Sequence, residues 1–123
     1  MLNLDYKCME YAQEISKISD SNLENNLRKA LGVLQEDGVY AMFFWIEDKD
    51  KSKEIREKLI KLLNESEIIK YLLGDSDSFP HNNFADFCVK LGKIAQDIDK
   101  LLFLKKLLER TLIYALYHAR MGE

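Results

Sequence analysis

The run from Leu101 to Arg120, LLFLKKLLERTLIYALYHAR, constrains the fold more than any other stretch of this chain. Wound at about 100° per residue, half of its circumference is apolar, carrying Phe103, Leu104, Leu107, Leu108, Leu112, Tyr114, Ala115 and Ala119. The other half carries Lys105, Lys106, Arg110 and Arg120 against one acid, Glu109, and is itself interrupted by Leu102, Ile113, Leu116 and Tyr117. A small monomer rarely buries a helix on every side. The run therefore predicts a protein that packs against other chains and keeps a basic stripe for an anion.

A chain of 123 residues has room for one domain around one core, so residues 1–123 are read as a single unit. With 47% apolar and 32% charged residues it has the composition of a globular protein rather than a disordered one. The net charge of −3 argues against a free-standing, nonspecific nucleic-acid binder, though not against a local basic patch. Cys8 and Cys88 lie far apart without a paired-ligand motif, as expected of free thiols. The N-terminus lacks a basic-then-apolar leader pattern, and no run is apolar enough for a membrane span, so a cytoplasmic location is expected.

Helical spacing begins at once. Leu4, Cys8, Tyr11, Ala12, Ile15 and Ile18 share a face, and the following Asp20, Ser21 or Asn22 can cap a second helix through Leu23, Leu27, Ala30, Leu31 and Leu34. Gly38 fits the residue just past that helix's C-terminus. Val39 to Ile46, VYAMFFWI, is short and apolar enough to be a strand, but no second strand-like run exists to pair with it. It is read as a helix, either buried in the middle of a bundle or exposing a patch that a partner covers. Glu47 to Lys58 alternates charge signs and reads as a turn leading into the solvated face of a helix with Ile55, Leu59, Leu62 and Leu63 inside. A short helix burying Ile68, Ile69, Leu72 and Leu73 follows, with Ser66 as its cap.

Gly74 to Asn83, GDSDSFPHNN, concentrates turn formers and the only proline, marking a loop and the best candidate for disorder. Beyond it, Phe84, Phe87, Cys88, Leu91, Ile94, Ala95, Ile98 and Leu101 carry a helical stripe into the final run. Asp97 and Asp99 mark the one soft spot, so this region is one very long helix or two joined by a kink. The fold class expected is all-α: a compact bundle of five to seven helices with a long C-terminal helix.

Motifs for chemistry are sparse. No glycine-rich phosphate loop occurs, and Asp75 with Asp77 lacks the remainder of a calcium loop, so neither a cofactor nor a metal site is expected. His81 sits in the turn-rich segment and reads as solvated. His118 follows Arg110 by eight residues, which resembles the Arg-then-His pair of HEPN-class ribonucleases, where both side chains converge on RNA phosphate. Here the spacer TLIYALY is longer than that family's, and on an ideal helix the pair would point about 80° and sit about 12 Å apart. No catalytic residue is therefore expected, with a HEPN-like metal-independent ribonuclease and a generic helical adaptor as the alternatives.

The basic stripe interleaves Lys105, Lys106, Arg110 and Arg120 with Tyr117, a pattern common on nucleic-acid surfaces, and cations near a helix C-terminus also favour its macrodipole. Together, LGVLQEDGVYAMFFWIEDK (Leu31 to Lys49) and FLKKLLERTLIYALYHAR resemble the small all-helical subunit of type III CRISPR effector complexes, the Cmr small-subunit family. Gly38, Ala41, Phe44 and Lys49 carry the first match; Phe103, Lys105, Lys106, Arg110 and Ala115 carry the second. The resemblance implies a non-catalytic subunit that packs against the other subunits of such a complex and against neighbouring copies of itself. It also implies guide or target RNA held through phosphates by Lys105, Lys106, Arg110 and Arg120, without sequence readout. The acidic pI near 5.5 and the few arginines depart from that pattern.

Overall fold

The structure is a computed structural model that describes residues 3–48 and 53–121. Lys49 and the centre of the mixed-charge run lie outside the described residues. Among those described, seven helices follow in order: α1 Leu4–Ser16, α2 Leu23–Asp37, α3 Val39–Glu47, α4 Lys53–Leu63, α5 Ser66–Leu72, α6 Phe84–Ala95 and α7 Ile98–Arg120. No strand occurs among the described residues, so the chain is an all-α bundle with a long C-terminal helix.

Short polar side chains set three of the helix starts. Asn3, Asn83 and Asp97 each turn a side-chain oxygen onto backbone N–H groups of the first turns of α1, α6 and α7, satisfying donors that have no partner within the helix. Asp97 thus settles the soft spot: its carboxylate accepts from the N–H groups of Asp99 and Lys100, dividing the region into two helices. Ahead of α2, Asn22 occupies the cap position without a side-chain hydrogen bond into the helix, and Asp20 accepts from the Asn22 N–H at 2.9 Å. Ser66 is the first residue of α5 rather than its cap. Gly38 lies at φ 101° and ψ −179°, a region essentially reserved for glycine, and there it closes α2 and opens α3 in a single residue.

α7 is the element around which the bundle is organised, with α1, α2 and α6 packed against it, while α3 packs against α2, α4 and α6. The buried residues of α7 are Leu104, Leu107, Leu108, Thr111, Leu112, Ala115 and Leu116, which span about 180° of the helix. Leu116, expected on the charged half, belongs to the core. Thr111 is buried there without an orphaned hydroxyl because it donates to the Leu107 carbonyl at 2.9 Å. The bundle thus covers half of α7, leaving Leu102, Lys106, Arg110, Tyr117 and Arg120 exposed along the other side.

VYAMFFWI is a helix that divides its aromatics. Val39, Met42, Phe43 and Ile46 are buried, and Phe43 meets Phe87 edge-on at 4.7 Å, whereas Tyr40 and Phe44 stay about half exposed. The apolar stripe of α6 stops short of its expected end, since Ala95 and Ile98 flank the Asp97 break and face solvent.

The segment 74–83 is irregular, as its turn formers dictate, but it is pinned at its middle. Phe79 is only 1% exposed, inserted beside Phe87. Asn64, just past α4, grips the Phe79 backbone from both sides, donating to its carbonyl at 2.9 Å and accepting from its N–H at 2.8 Å. Lys90 of α6 holds Asp77 at 2.6 Å from the other flank. The candidate for disorder is thus a segment anchored to the core.

Candidate nucleic-acid interface

Of the four cations expected to face RNA, the fold brings two together. Lys106 and Arg110 lie four residues apart on the exposed side of α7, one turn of the helix. Lys105 is half-buried and points about 100° away from Lys106 around the helix. Arg120 stands about 15 Å beyond Arg110 along the axis, where its Nε lies 3.6 Å from Glu24 of α2, a carboxylate that also holds Arg28 at 2.7 Å.

Arg110 has a neighbour too. Asp5 of α1 sits 3.5 Å from its guanidinium and accepts a 2.6 Å hydrogen bond from the Tyr114 hydroxyl, which raises the Tyr114 phenol above its ordinary pKa. Both members of the Arg110–Asp5 pair are more than half exposed. Such a pair contributes about 0–1 kcal/mol and is readily exchanged for a stronger anion. Lys105 and Lys106 make no ion pair among the described residues.

Between α1 and α7, immediately beside Lys106 and Arg110, lies an open cleft of about 190 Å³ lined by Leu4, Cys8, Phe103, Lys106, Leu107 and Arg110. Its floor is apolar. The Cys8 thiol there is buried, 3.7 Å from the Leu107 carbonyl, and burial pushes its pKa up against the pull of Thr111 and the Arg110 cation, keeping it a neutral, unreactive group. Phe103 forms one wall and meets Tyr71 of α5 edge-on at 5.0 Å; Lys100 places its ammonium 5.8 Å from the centre of the Tyr71 ring. Tyr71 is 44% exposed. Two aromatic rings, Tyr71 and Phe103, therefore lie between the Lys100 ammonium and the Lys106 and Arg110 pair.

A second exposed surface lies on α3 and α6. Tyr40 stacks on Phe44 at 5.0 Å, Phe44 meets Phe84 edge-on at 5.0 Å, and Ala85, Cys88, Val89 and Gly92 complete a shallow apolar face. Phe44, one of the residues carrying the family resemblance, is at its centre, and Ala41 is half-buried on the same helix.

The remaining candidates are separate. His118 is half-buried on α7, while Arg110 is turned toward Asp5. His81 is exposed in the 74–83 segment. Asp77, its carboxyl pKa lowered by its hydrogen bond from Lys90, faces lysines of α6, whereas Asp75 lies 4.0 Å from Lys70 of α5. Among the described residues no group of three or more His, Cys, Asp and Glu side chains is placed to share a metal ion, and no helix is long and apolar enough to cross a membrane.

Comparison of the chain with protein-family models, curated proteins and solved structures gives no match. The site residues that sequence reasoning missed are Leu4, Cys8, Lys100 and Tyr71. Leu4 and Cys8 were legible as an i, i+4 pair on an apolar face, but nothing in the linear pattern places that face beside Lys106. Tyr71 is a single aromatic on a short helix, and nothing in its local pattern links it to α7.

Proposed function

We propose that this protein is a non-catalytic helical subunit of an RNA-bound protein assembly, of the type III CRISPR small-subunit kind that its sequence resembles. It holds the phosphate backbone of single-stranded RNA at Lys106 and Arg110 and meets neighbouring subunits through the apolar face of α3 and α6. The observation that supports RNA most is the pairing of the exposed Lys106 and Arg110 on α7 beside the rings of Phe103 and Tyr71, with the Lys100 ammonium near the Tyr71 ring. Cations supply sequence-independent attraction to phosphate, and ring faces accept any base. Lys105 and Arg120 flank this track, Arg120 becoming available where phosphate displaces it from Glu24. The exposed Tyr40 and Phe44 support a protein partner, because aromatic rings grouped on a surface are the residues most enriched at interface centres.

Reconstitution with the backbone subunits and RNA of such an assembly tests this reading. The double variant K106E/R110E incorporates less of this chain on RNA while its helical circular dichroism is unchanged. Undiminished RNA-dependent incorporation would remove these residues from the RNA surface. Metal-independent RNA cleavage by the purified chain, lost in His118→Ala, would instead establish the HEPN-type reading.

A further inference from the structure

The cleft between α1 and α7 has the size and the lining chemistry to receive a single aromatic ring. Its volume of about 190 Å³ is below the roughly 300 Å³ at which pockets for whole ligands begin, so it admits one heterocycle and not a complete cofactor. Leu4, Cys8 and Leu107 give it an apolar floor, and the Cys8 thiol is kept neutral by its burial, so nothing charged lies beneath. Phe103 stands as a wall already fixed by its contact with Tyr71. Both cations of the site stand at the edge of the same slot. An occupant that is planar and apolar in its body and anionic where it leaves the slot satisfies all six lining residues, and an unpaired nucleotide is such a molecule.

We propose that the slot lined by Leu4, Cys8, Phe103 and Leu107 receives one unstacked base of single-stranded RNA, with its flanking phosphates on Lys106 and Arg110. This rests on the reading that the chain binds RNA, and it adds a base contact to what would otherwise be a grip on phosphate alone. The contact has no hydrogen-bonding edge built into it, so it is expected to select single strands over duplex without selecting sequence. Asp5, beside Arg110, is displaced toward Tyr114 as phosphate takes its place.

The test compares the intact protein's affinity for an unstructured oligouridylate of about ten nucleotides, within the span single-strand binders cover, with that for an abasic ribose-phosphate oligomer of equal length. At about 1–3 kcal/mol for a stacked base, the base-bearing strand binds roughly five- to 150-fold more tightly. Leu4→Trp, which fills the slot with a larger side chain, and Phe103→Leu, which removes its wall, each reduce that preference; circular dichroism checks that both are folded. Equal affinity of the wild type for the two oligomers would overturn the slot while leaving the phosphate reading in place. A preference that survives in both variants would place the base contact elsewhere and overturn it as well. Failure of the wild type to bind either oligomer would overturn the slot and the RNA reading together.

Discussion

Replacing Asn64 by alanine removes the clasp on the 74–83 segment, and the structure gives its size. Two hydrogen bonds to the Phe79 backbone are lost, at 2.8 and 2.9 Å in a partly buried setting, each contributing about 0.5–1.5 kcal/mol. Phe79, held in place by those bonds, is fully buried, and its truncation to alanine costs about 3–5 kcal/mol through lost burial and the cavity left behind. Asn64→Ala is therefore expected to destabilise by about 2 kcal/mol and Phe79→Ala by about 4 kcal/mol. Because the clasp stabilises largely by keeping the ring in the core, the double variant should fall short of the sum by about 1 kcal/mol, as coupled neighbours do. Urea denaturation followed by circular dichroism measures all three, the midpoint reporting stability while the slope stays constant. Strict additivity, or an Asn64→Ala loss below about 0.5 kcal/mol, the level of an ordinary surface change, would refute the account of the segment as anchored through Asn64.

Gly38 and Gly32 should respond oppositely to alanine. Open space surrounds both, so sterics with neighbours decide neither; Gly38→Ala should cost about 1–3 kcal/mol because its backbone lies in the glycine-only region, whereas Gly32→Ala inside α2 should gain about 0.5–1 kcal/mol, both read from thermal melts. Tyr11, buried and hydrogen-bonded to Glu65, has its phenol pKa raised far above the ordinary 10.0, first by burial and then by that carboxylate. A raised folded-state value means its contribution is fully present below pH 10 and is lost as the pH climbs above it. Ultraviolet titration should show one tyrosine ionising only on unfolding, a feature absent from Tyr11→Phe; titration of all tyrosines near pH 10 in the folded protein would contradict it.

The helices were legible because the chain has few breakers and the 3.6-residue period is strong in every segment that folds. Gly38 and Asp97 show both the reach of local pattern and its limit. A glycine between two apolar runs admits one interpretation, whereas an aspartate within a continuous stripe is equally a solvated side chain or a cap, and only the path of the backbone decides. Anchoring of Phe79 was hidden because its partner, Asn64, belongs to another element and carries no distinguishing pattern. The same holds for charge. Reading α7 alone, Lys105, Lys106, Arg110 and Arg120 form one stripe, but Asp5 and Glu24 reach two of them from α1 and α2 across roughly the length of the chain. The cleft exists only where α1 meets α7, so no single segment could have announced it. Apolar residues all round the last helix were sound evidence of crowding, yet α1, α2 and α6 supply enough of that crowding within one chain to bury half of the helix.

Salt dependence of RNA binding tests the central claim most directly. For single strands the slope of log affinity against log salt is about −0.7 per phosphate neutralised, so the K106E/R110E variant should bind more weakly and show a slope shallower by about 1.4 than the wild type. An unchanged slope and affinity, or no salt-sensitive binding by the wild type, would contradict an RNA-facing role for this side of α7.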